Sequence, residues 1–344
     1  MQNTSESAYI ALVKVTIDDV AKESGVSLAT VSRALRGLPN VAPATRERVR
    51  RAADALGYEP DPSAVRLAAG TTSTIGLLAG NVDSWYAGRM LAGVERVLVD
   101  EGFDLLLSIA DRSHPRAVVD RVRSLNRRVD GLLLLDLHLE DEEAEAIAEM
   151  VSTVVTAGSR TDRFDSVLID NFEAASTVAR HLLRLGHTRV AMIDGEPGVA
   201  IEHSAPFERA RGFRAGLAES GLEVMETAYG EFTTRGGVDA ATRLLGAREA
   251  PTAIFAFSDE MAFGVLRAAR ALGIGVPEEL SVVGFDDHDL ADLLDLTTVR
   301  QDVVELGSLA ARRVLDQLEA PGTPIHEVAP TTLAVRGSTG PAPD

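Results

Sequence analysis

The sequence predicts two architectures in series: a small all-α unit, then an α/β body of two lobes, each a doubly wound parallel sheet. Three observations carry this. Residues 16–56 hold three short segments with apolar residues at helical spacing and no strand pattern. Pro60, Asp61 and Pro62 then break the chain. After Thr74, apolar strand-like runs alternate with amphipathic helical segments, the pattern of a parallel sheet covered on both faces, and the series restarts near Asp170.

The first helix begins at Thr16. Ile17, Val20 and Ala21 fall at helical spacing, and Asp18 and Asp19 lie in the first turn, where the helix dipole favours carboxylates. Gly25 stops it. Ser27 is a good N-cap for a second helix, Ser27–Leu35, whose inward residues are Val31 and Leu35 and whose outward ones are Leu28, Ala29, Thr30, Ser32 and Arg33. A third helix runs from Pro43 to Leu56, with Val49, Ala53 and Leu56 on one face and Gly57 at its end. Ala42 forfeits about 1 kcal/mol of capping there, and Pro43 at the first helical position offsets part of it. Ser63–Gly70 is a weakly apolar segment too short to hold a helix in isolation.

In the body, strands are expected at Ile75–Ala79, Phe103–Ile109, Gly131–Leu137, Val151–Ala157, Val167–Ile169, Val190–Ile193, Ala253–Phe257 and Ser281–Phe285. Twin α/β halves form a cleft at the carboxyl ends of their strands, where ligands bind. Gly337–Asp344 reads as a mobile Gly/Pro tail.

Composition narrows the function. The 344 residues, 45% hydrophobic and 25% charged, are those of a folded chain of two or three domains. The absence of cysteine excludes disulfides, thiolate metal sites and cysteine nucleophiles. The apolar run Ala8–Val13 has neither a basic flank nor a cleavage site, so no signal peptide is expected and the protein is read as cytoplasmic, without a membrane partner. The net charge of -18 argues against nucleic acid only as an average. Lys14–Gly70 carries +2, residues 1–13 carry -1, and residues 71–344 carry -19. Arg33, Arg36, Arg46, Arg48, Arg50 and Arg51 bunch in the first segment, as in a small nucleic-acid module attached to an acidic body.

Ala21, Gly25 and Val31 supply what two steeply crossed helices need: a small residue at the contact, one tolerant of positive φ in the turn, and a branched residue to lock the second helix. A plain helical hairpin would meet the same spacing. The outward face of the second helix weighs against it, since Arg33 can take a guanine edge bidentately and Leu28 and Ala29 can pack on thymine methyls.

The run Val15–Leu35 (VTIDDVAKESGVSLATVSRAL), followed by Thr45–Val49 (TRERV) and Ala55–Pro60 (ALGYEP), resembles the headpiece of the LacI/GalR family of bacterial transcriptional repressors. Val129-Asp130-Gly131, Asp170-Asn171, His181–His187, Arg209–Phe213, Ser258-Asp259 and Val282–Asp287 resemble the same family's effector domain, of the type I periplasmic-binding-protein fold. The resemblance implies a helix-turn-helix headpiece at 14–59, a hinge at 60–72 and an effector-binding and dimerisation domain at 73–340. Within the last, the N-lobe is expected at about 73–169 and 298–325, and the C-lobe at about 170–297 and 326–340. It makes Ser27–Leu35 the recognition helix, with Leu28, Ala29 and Arg33 reading bases, Thr30 and Ser32 nearer phosphates, and Thr16 and Ser27 also among the DNA-contacting positions. Ala64 and Leu67 match minor-groove positions of the hinge, Leu67 the wedge between central base steps.

For the effector, the resemblance points to Arg209, Phe232, Asp286, and Trp85 or Tyr86, with Ser258 where asparagine is usual. Asp286, after a strand, can accept two hydroxyl hydrogen bonds. An aspartate, an arginine and an aromatic face suit a sugar, so the expected ligand is a small-molecule effector of that kind, with no cofactor or metal. The acidic run Asp286, Asp287, Asp289, Asp292 and Asp295 lacks the spacing and turn glycine of a calcium loop and is read as solvated. The loop also lacks the proline pair common in the family before Leu296-Thr297-Thr298. No zinc-helix histidine pair, Gly-x-Ser-x-Gly elbow, P-loop or dinucleotide fingerprint is present, so no catalytic residue is expected. The function expected is a ligand-responsive repressor of carbohydrate-related genes that binds a pseudo-palindromic operator as a homodimer. The alternatives are a solute-binding protein of the periplasmic type without DNA function, and a sugar-active enzyme.

Overall fold

The computed structural model describes residues 15–58, 71–110, 116–195 and 204–343. The hinge positions Ala64 and Leu67 lie outside the described residues. The chain forms two compact units, 1–72 and 73–344.

In the first unit, α1 (Ile17–Ser24) starts where the Asp19 carboxylate accepts hydrogen bonds from the backbone N–H (3.0 Å) and the hydroxyl (2.7 Å) of Thr16. It stops at Gly25, whose φ of 65° lets Val26 donate back to Ala21. The second helix, α2 (Leu28–Leu35), is capped by Ser27, and α3 (Pro43–Leu56) has no side-chain cap at Ala42 but carries Pro43 in its first turn. The core is Val20, Val31, Ala34, Val49, Ala52 and Ala53. Leu35 and Leu56, expected inside, are only partly buried at its rim. Three valines and three alanines share the interior, where small side chains let helices of this size approach closely.

The second unit holds two six-stranded sheets. The first has the order β11-β5-β4-β3-β1-β2, built from β1 (Thr74–Ala79), β2 (Asp104–Ile109), β3 (Gly131–Leu135), β4 (Val154–Ala157), β5 (Asp165–Ile169) and β11 (His326–Ala329). The second has the order β12-β10-β9-β8-β6-β7, built from β6 (Val190–Asp194), β7 (Glu226–Tyr229), β8 (Ala253–Ala256), β9 (Ser281–Asp286), β10 (Thr297–Arg300) and β12 (Thr332–Ala334). All pairings are parallel except β10 with β12. Helices α4 (Trp85–Asp100), α5 (Ala117–Leu125), α6 (Asp141–Met150) and α11 (Val303–Glu319) belong with the first sheet, and α7 (Asn171–Arg184), α8 (Ala205–Ala218), α9 (Thr234–Leu245) and α10 (Asp259–Leu272) with the second.

The chain crosses between lobes after β5, after β10 and between β11 and β12. The expected return points near 298 and 326 therefore fall early: β10 still pairs with β9, and β11 pairs with β5 of the N-lobe before β12 returns. Strands β7, β10, β11 and β12 have three or four residues each and leave no strand signal in the sequence. Edge strands such as Glu226–Tyr229 and His326–Ala329 are half solvated and mix polar with apolar residues, so no continuous apolar run marks them.

The tail is not the mobile segment its composition implied. Ser338 is 3% exposed, accepts from Thr297 N–H (2.8 Å) and donates to the Val282 carbonyl (2.6 Å). Gly340 N–H donates to Ser281 Oγ (3.0 Å), and Ala342 N–H donates to the Leu185 carbonyl (2.8 Å). Backbone groups that find partners in this way order a segment that apolar content alone would not.

Candidate functional site

The outward face of α2 is open. Leu28 is 44% exposed, Ala29 and Arg33 are exposed, and Ser32 is half-buried. The Arg33 side chain makes no hydrogen bond or ion pair among the described residues, which leaves its guanidinium fork available to a partner. Ser27 accepts from Thr30 N–H (3.3 Å), and the hydroxyls of Ser27 and Thr30 are 2.9 Å apart, so these two groups first serve to start the helix. Thr16 does the same for α1 through Asp19. Arg46 on α3 donates to the Leu38 carbonyl (3.0 Å) and so fixes the turn that ends α2. Arg48, Arg50 and Arg51 on α3 are exposed. The result is a rigid helix with a short apolar and basic face, suited to a groove edge and its flanking phosphates.

In the body, the carboxyl ends of the strands bring the predicted side chains into two neighbourhoods. Arg209 on α8 is 7% exposed and held on three sides: Nε donates to Asn171 Oδ1 (2.9 Å), Nη1 to the Phe257 carbonyl (2.5 Å), and the guanidinium lies 3.6 Å from the Phe285 ring centre. Burial lowers its pKa, and the nearby Asp286, Tyr86, Asp136 and Asp194 raise it in return. Asp286, the last residue of β9, is also 7% exposed and accepts from Gln301 Nε2 (2.6 Å); burial pushes its carboxyl up to about 7, against the opposing pull of Arg209 and that hydrogen bond. Tyr86, in the first turn of α4, feels the same charges: burial raises its pKa, with Asp136 and Asp286 adding to the rise.

The other predicted residues make contacts of their own. Phe232, with a left-handed φ of 51°, lies on Gly195 at the end of β6, where any Cβ would overlap its ring. Ser258 is buried and caps α10, its hydroxyl oxygen accepting from Met261 N–H (3.2 Å). Trp85 joins the lobes: its indole N–H donates to Asp289 (3.0 Å) and its ring lies 4.8 Å from that of His288, which Phe263 meets edge-on at 5.2 Å.

Sequence reasoning gave no site role to Asn171, Gln301 or Asp136. Asn171 lies in the Asp170-Asn171 pair that carries part of the resemblance and Asp136 is a lone acid directly after the apolar run Gly131–Leu135, whereas Gln301 has no local signal. The acidic loop is also less solvated than expected. Asp287 pairs with Arg300 (2.5 Å) and Arg336 (2.7 Å), Asp292 with Arg336 (3.5 Å), and Asp289 with Trp85. Arginines brought in from β10 and from beyond β12 account for this, and no local pattern announces them.

Comparison with known proteins places this geometry. Residues 16–61 match the bacterial regulatory proteins of the lacI family, and residues 179–339 match the periplasmic binding protein-like domain. Over 306 residues, 87% of this chain and 91% of the relative, the sequence is 33% identical to catabolite control protein A of Priestia megaterium. The chain belongs to the lacI family of bacterial regulatory proteins. Two solved structures of that family are similar over nearly the full length. The lac repressor dimer bound to operator and the anti-inducer ONPF has a TM-score of 0.84 at 26% identity, covering 95% of this chain and 99% of that one. The CelR–cellobiose complex has a TM-score of 0.69 at 31% identity, covering 94% and 99%.

This lacI-family chain is accordingly a DNA-binding transcriptional regulator and not an enzyme. The match over 16–61 sets aside a solute-binding protein without DNA function. Among the described residues, no helix is long and apolar enough to cross a membrane.

Proposed function

We propose that the protein is a cytoplasmic repressor of carbohydrate-related genes, that its homodimer binds a pseudo-palindromic operator, and that a sugar in the interlobe cleft controls it. The observation that carries the effector reading is the convergence of Tyr86, Arg209 and Asp286 from both lobes, with Asp286 Oδ2 free of any hydrogen bond among the described residues. That oxygen keeps accessible surface in the cleft and so stands ready to accept from a ligand hydroxyl. Sugar hydroxyls supply donors and acceptors together, and Phe232 offers an apolar face. The neighbouring CelR structure holds cellobiose, which agrees with this class of ligand.

Leu28, Ala29 and Arg33 read bases in the major groove, Thr16, Ser27, Thr30 and Ser32 hold the helix against phosphates, and Ala64 and Leu67 enter the minor groove. A single headpiece makes too few contacts for specificity, and a twofold dimer reads half-sites about one helical turn apart. Exposed Leu107 and Ile109 on one lobe, with Leu290, Leu293 and Leu294 on the other, give the body apolar surface for a second copy. Sugar that favours one lobe arrangement over another then shifts operator affinity by linkage. Selection from random duplex DNA, followed by titration of the selected site with a sugar panel, tests the reading. A pseudo-palindrome released by one sugar is expected; enrichment of no symmetric site would overturn it.

A further inference from the structure

Asp136 belongs to no sequence motif. It follows β3 directly, with φ of 49°, on the N-lobe side of the cleft. Next to it, Gly158 at the end of β4 has φ of 81°, and a Cβ built there would overlap the Asp136 carboxylate. The same point is 3.5 Å from the Tyr86 hydroxyl, so glycine at 158 keeps open the space in which these two polar groups meet. Among the described residues, neither the Asp136 carboxylate nor the Tyr86 hydroxyl has a hydrogen-bond partner. Asp286, on the opposite lobe, leaves one oxygen unpartnered as well.

We infer that Asp136 is a specificity-determining residue: with Asp286 it fits the cleft to an uncharged polyhydroxyl effector and turns away anionic ones such as sugar phosphates. This rests on the cleft being the effector site. The charges that act on one another around Asp136 and Asp286 are Asp136 from the end of β3, Asp286 from β9, Asp194 from the end of β6, Glu260 from α10 and Arg209 from α8. Arg214 also acts on Asp194, but Arg209 is the cation that acts on both Asp136 and Asp286, and its Nε and Nη1 are already committed to Asn171 and the Phe257 carbonyl. A phosphate carries up to two negative charges and three acceptor oxygens, so it needs several donors and would instead meet carboxylates. Hydroxyls have the opposite chemistry, since each can donate to a carboxylate and accept from Tyr86 or from the remaining Nη2 of Arg209.

The protonation of the two acids agrees with this. Asp136 has an open face to solvent but is walled in elsewhere; that crowding pushes its carboxyl up to about 7, Arg209 draws it down and Asp286 adds to the rise. Loss of water is the larger cause of both shifts and the neighbouring carboxylates add to it, so a further negative charge beside Asp136 and Asp286 is disfavoured.

The test compares neutral and phosphorylated forms of one sugar on the full chain by calorimetry, with glucose and glucose 6-phosphate, ribose and ribose 5-phosphate, and cellobiose as a further neutral probe. At least one neutral sugar should bind, its phosphate ester roughly 100-fold more weakly or worse, a gap of about 2.7 kcal/mol. In Asp136→Asn the gap should shrink below tenfold, and in Asp136→Ser the neutral sugar should also lose affinity. Melting temperatures of both variants without ligand show that they fold, and the Asp136 carboxylate accepts no protein hydrogen bond that could be lost among the described residues. A phosphate ester that binds the wild type as well as its parent sugar, or an unchanged gap in both variants, overturns the inference and leaves the sugar reading standing. If neither form of any probe binds, the sugar reading falls and the inference with it.

Discussion

Replacement of Asp286 by asparagine should stabilise the unliganded protein at alkaline pH and leave it unaffected in acid. The side chain is 7% exposed, and burial lifts its carboxyl from the ordinary 3.8 to about 7, with Arg209 and Gln301 acting in the other direction. A carboxyl raised on folding contributes stability that is complete below its unfolded value and is lost as pH rises through its folded value. The window therefore runs from about pH 4 to pH 7, and the full span corresponds to roughly 4 kcal/mol as an upper bound. Coupling to Asp136 and Arg209 spreads that cost over several groups, so about 1–3 kcal/mol is expected for one substitution. The substituted amide retains an acceptor oxygen for Gln301 Nε2 and removes the charge. At roughly 2–4 °C per kcal/mol for a domain of this size, scanning calorimetry of Asp286→Asn at pH 8 should show the body melting several degrees above wild type. At pH 5 about a third of the difference should remain, and below about pH 4, beneath the unfolded value, the two should coincide. A variant that melts lower than wild type by the same margin at both pH values would refute the reasoning, because its defect would then be a lost hydrogen bond rather than a removed charge.

Three further outcomes follow from the same structure. Arg33→Ala should cost roughly 1–3 kcal/mol on the selected operator and relax preference at one symmetric base position; equal loss on operator and random DNA would make Arg33 a phosphate contact. Deletion of residues 338–344 should lower the melting temperature of the body, since it removes hydrogen bonds to Thr297, Val282, Ser281 and Leu185, each worth about 0.5–1.5 kcal/mol; an unchanged melt would show that the tail adds nothing. Trp85 is the sole tryptophan, and it donates to Asp289 across the lobes. Sugar binding should therefore shift its fluorescence, and Asp289→Ala should reduce that shift; a spectrum insensitive to a sugar that binds by calorimetry would refute a role for this contact in lobe closure.

Local chemistry explains what was legible in the sequence. Thr16 with Asp19, Gly25 and Ser27 act within four residues of themselves, so the boundaries of α1 and α2 could be read directly. Long apolar runs such as Gly131–Leu135 and Ser281–Phe285 mark central strands because both faces are covered. The interior of the first unit was less legible. Leu35 and Ala34 both face inward, and only the helix spacing decides that the alanine takes the centre.

The cleft was legible only where one residue announces a strand end, as Asp286 does. Its remaining partners arrive from distant segments: Gln301 meets Asp286 across 15 residues, Asn171 meets Arg209 across 38, and Trp85 meets Asp289 across 204. A resemblance can mark such positions one by one, but it does not say which of their atoms are already occupied. That distinction changes the chemistry of the site. Arg209, expected as a general donor to ligand, spends two of its nitrogens on Asn171 and Phe257 and its face on Phe285, so one nitrogen remains. Ser258 likewise spends its oxygen on Met261. Donors on the protein side are therefore scarce and acceptors are abundant, since the Asp136 carboxylate and one oxygen of Asp286 have no protein partner among the described residues. A ligand that satisfies the ionised cleft brings the hydrogens, and that asymmetry, invisible in any motif, is what supports the proposal of a ligand rich in hydroxyl groups.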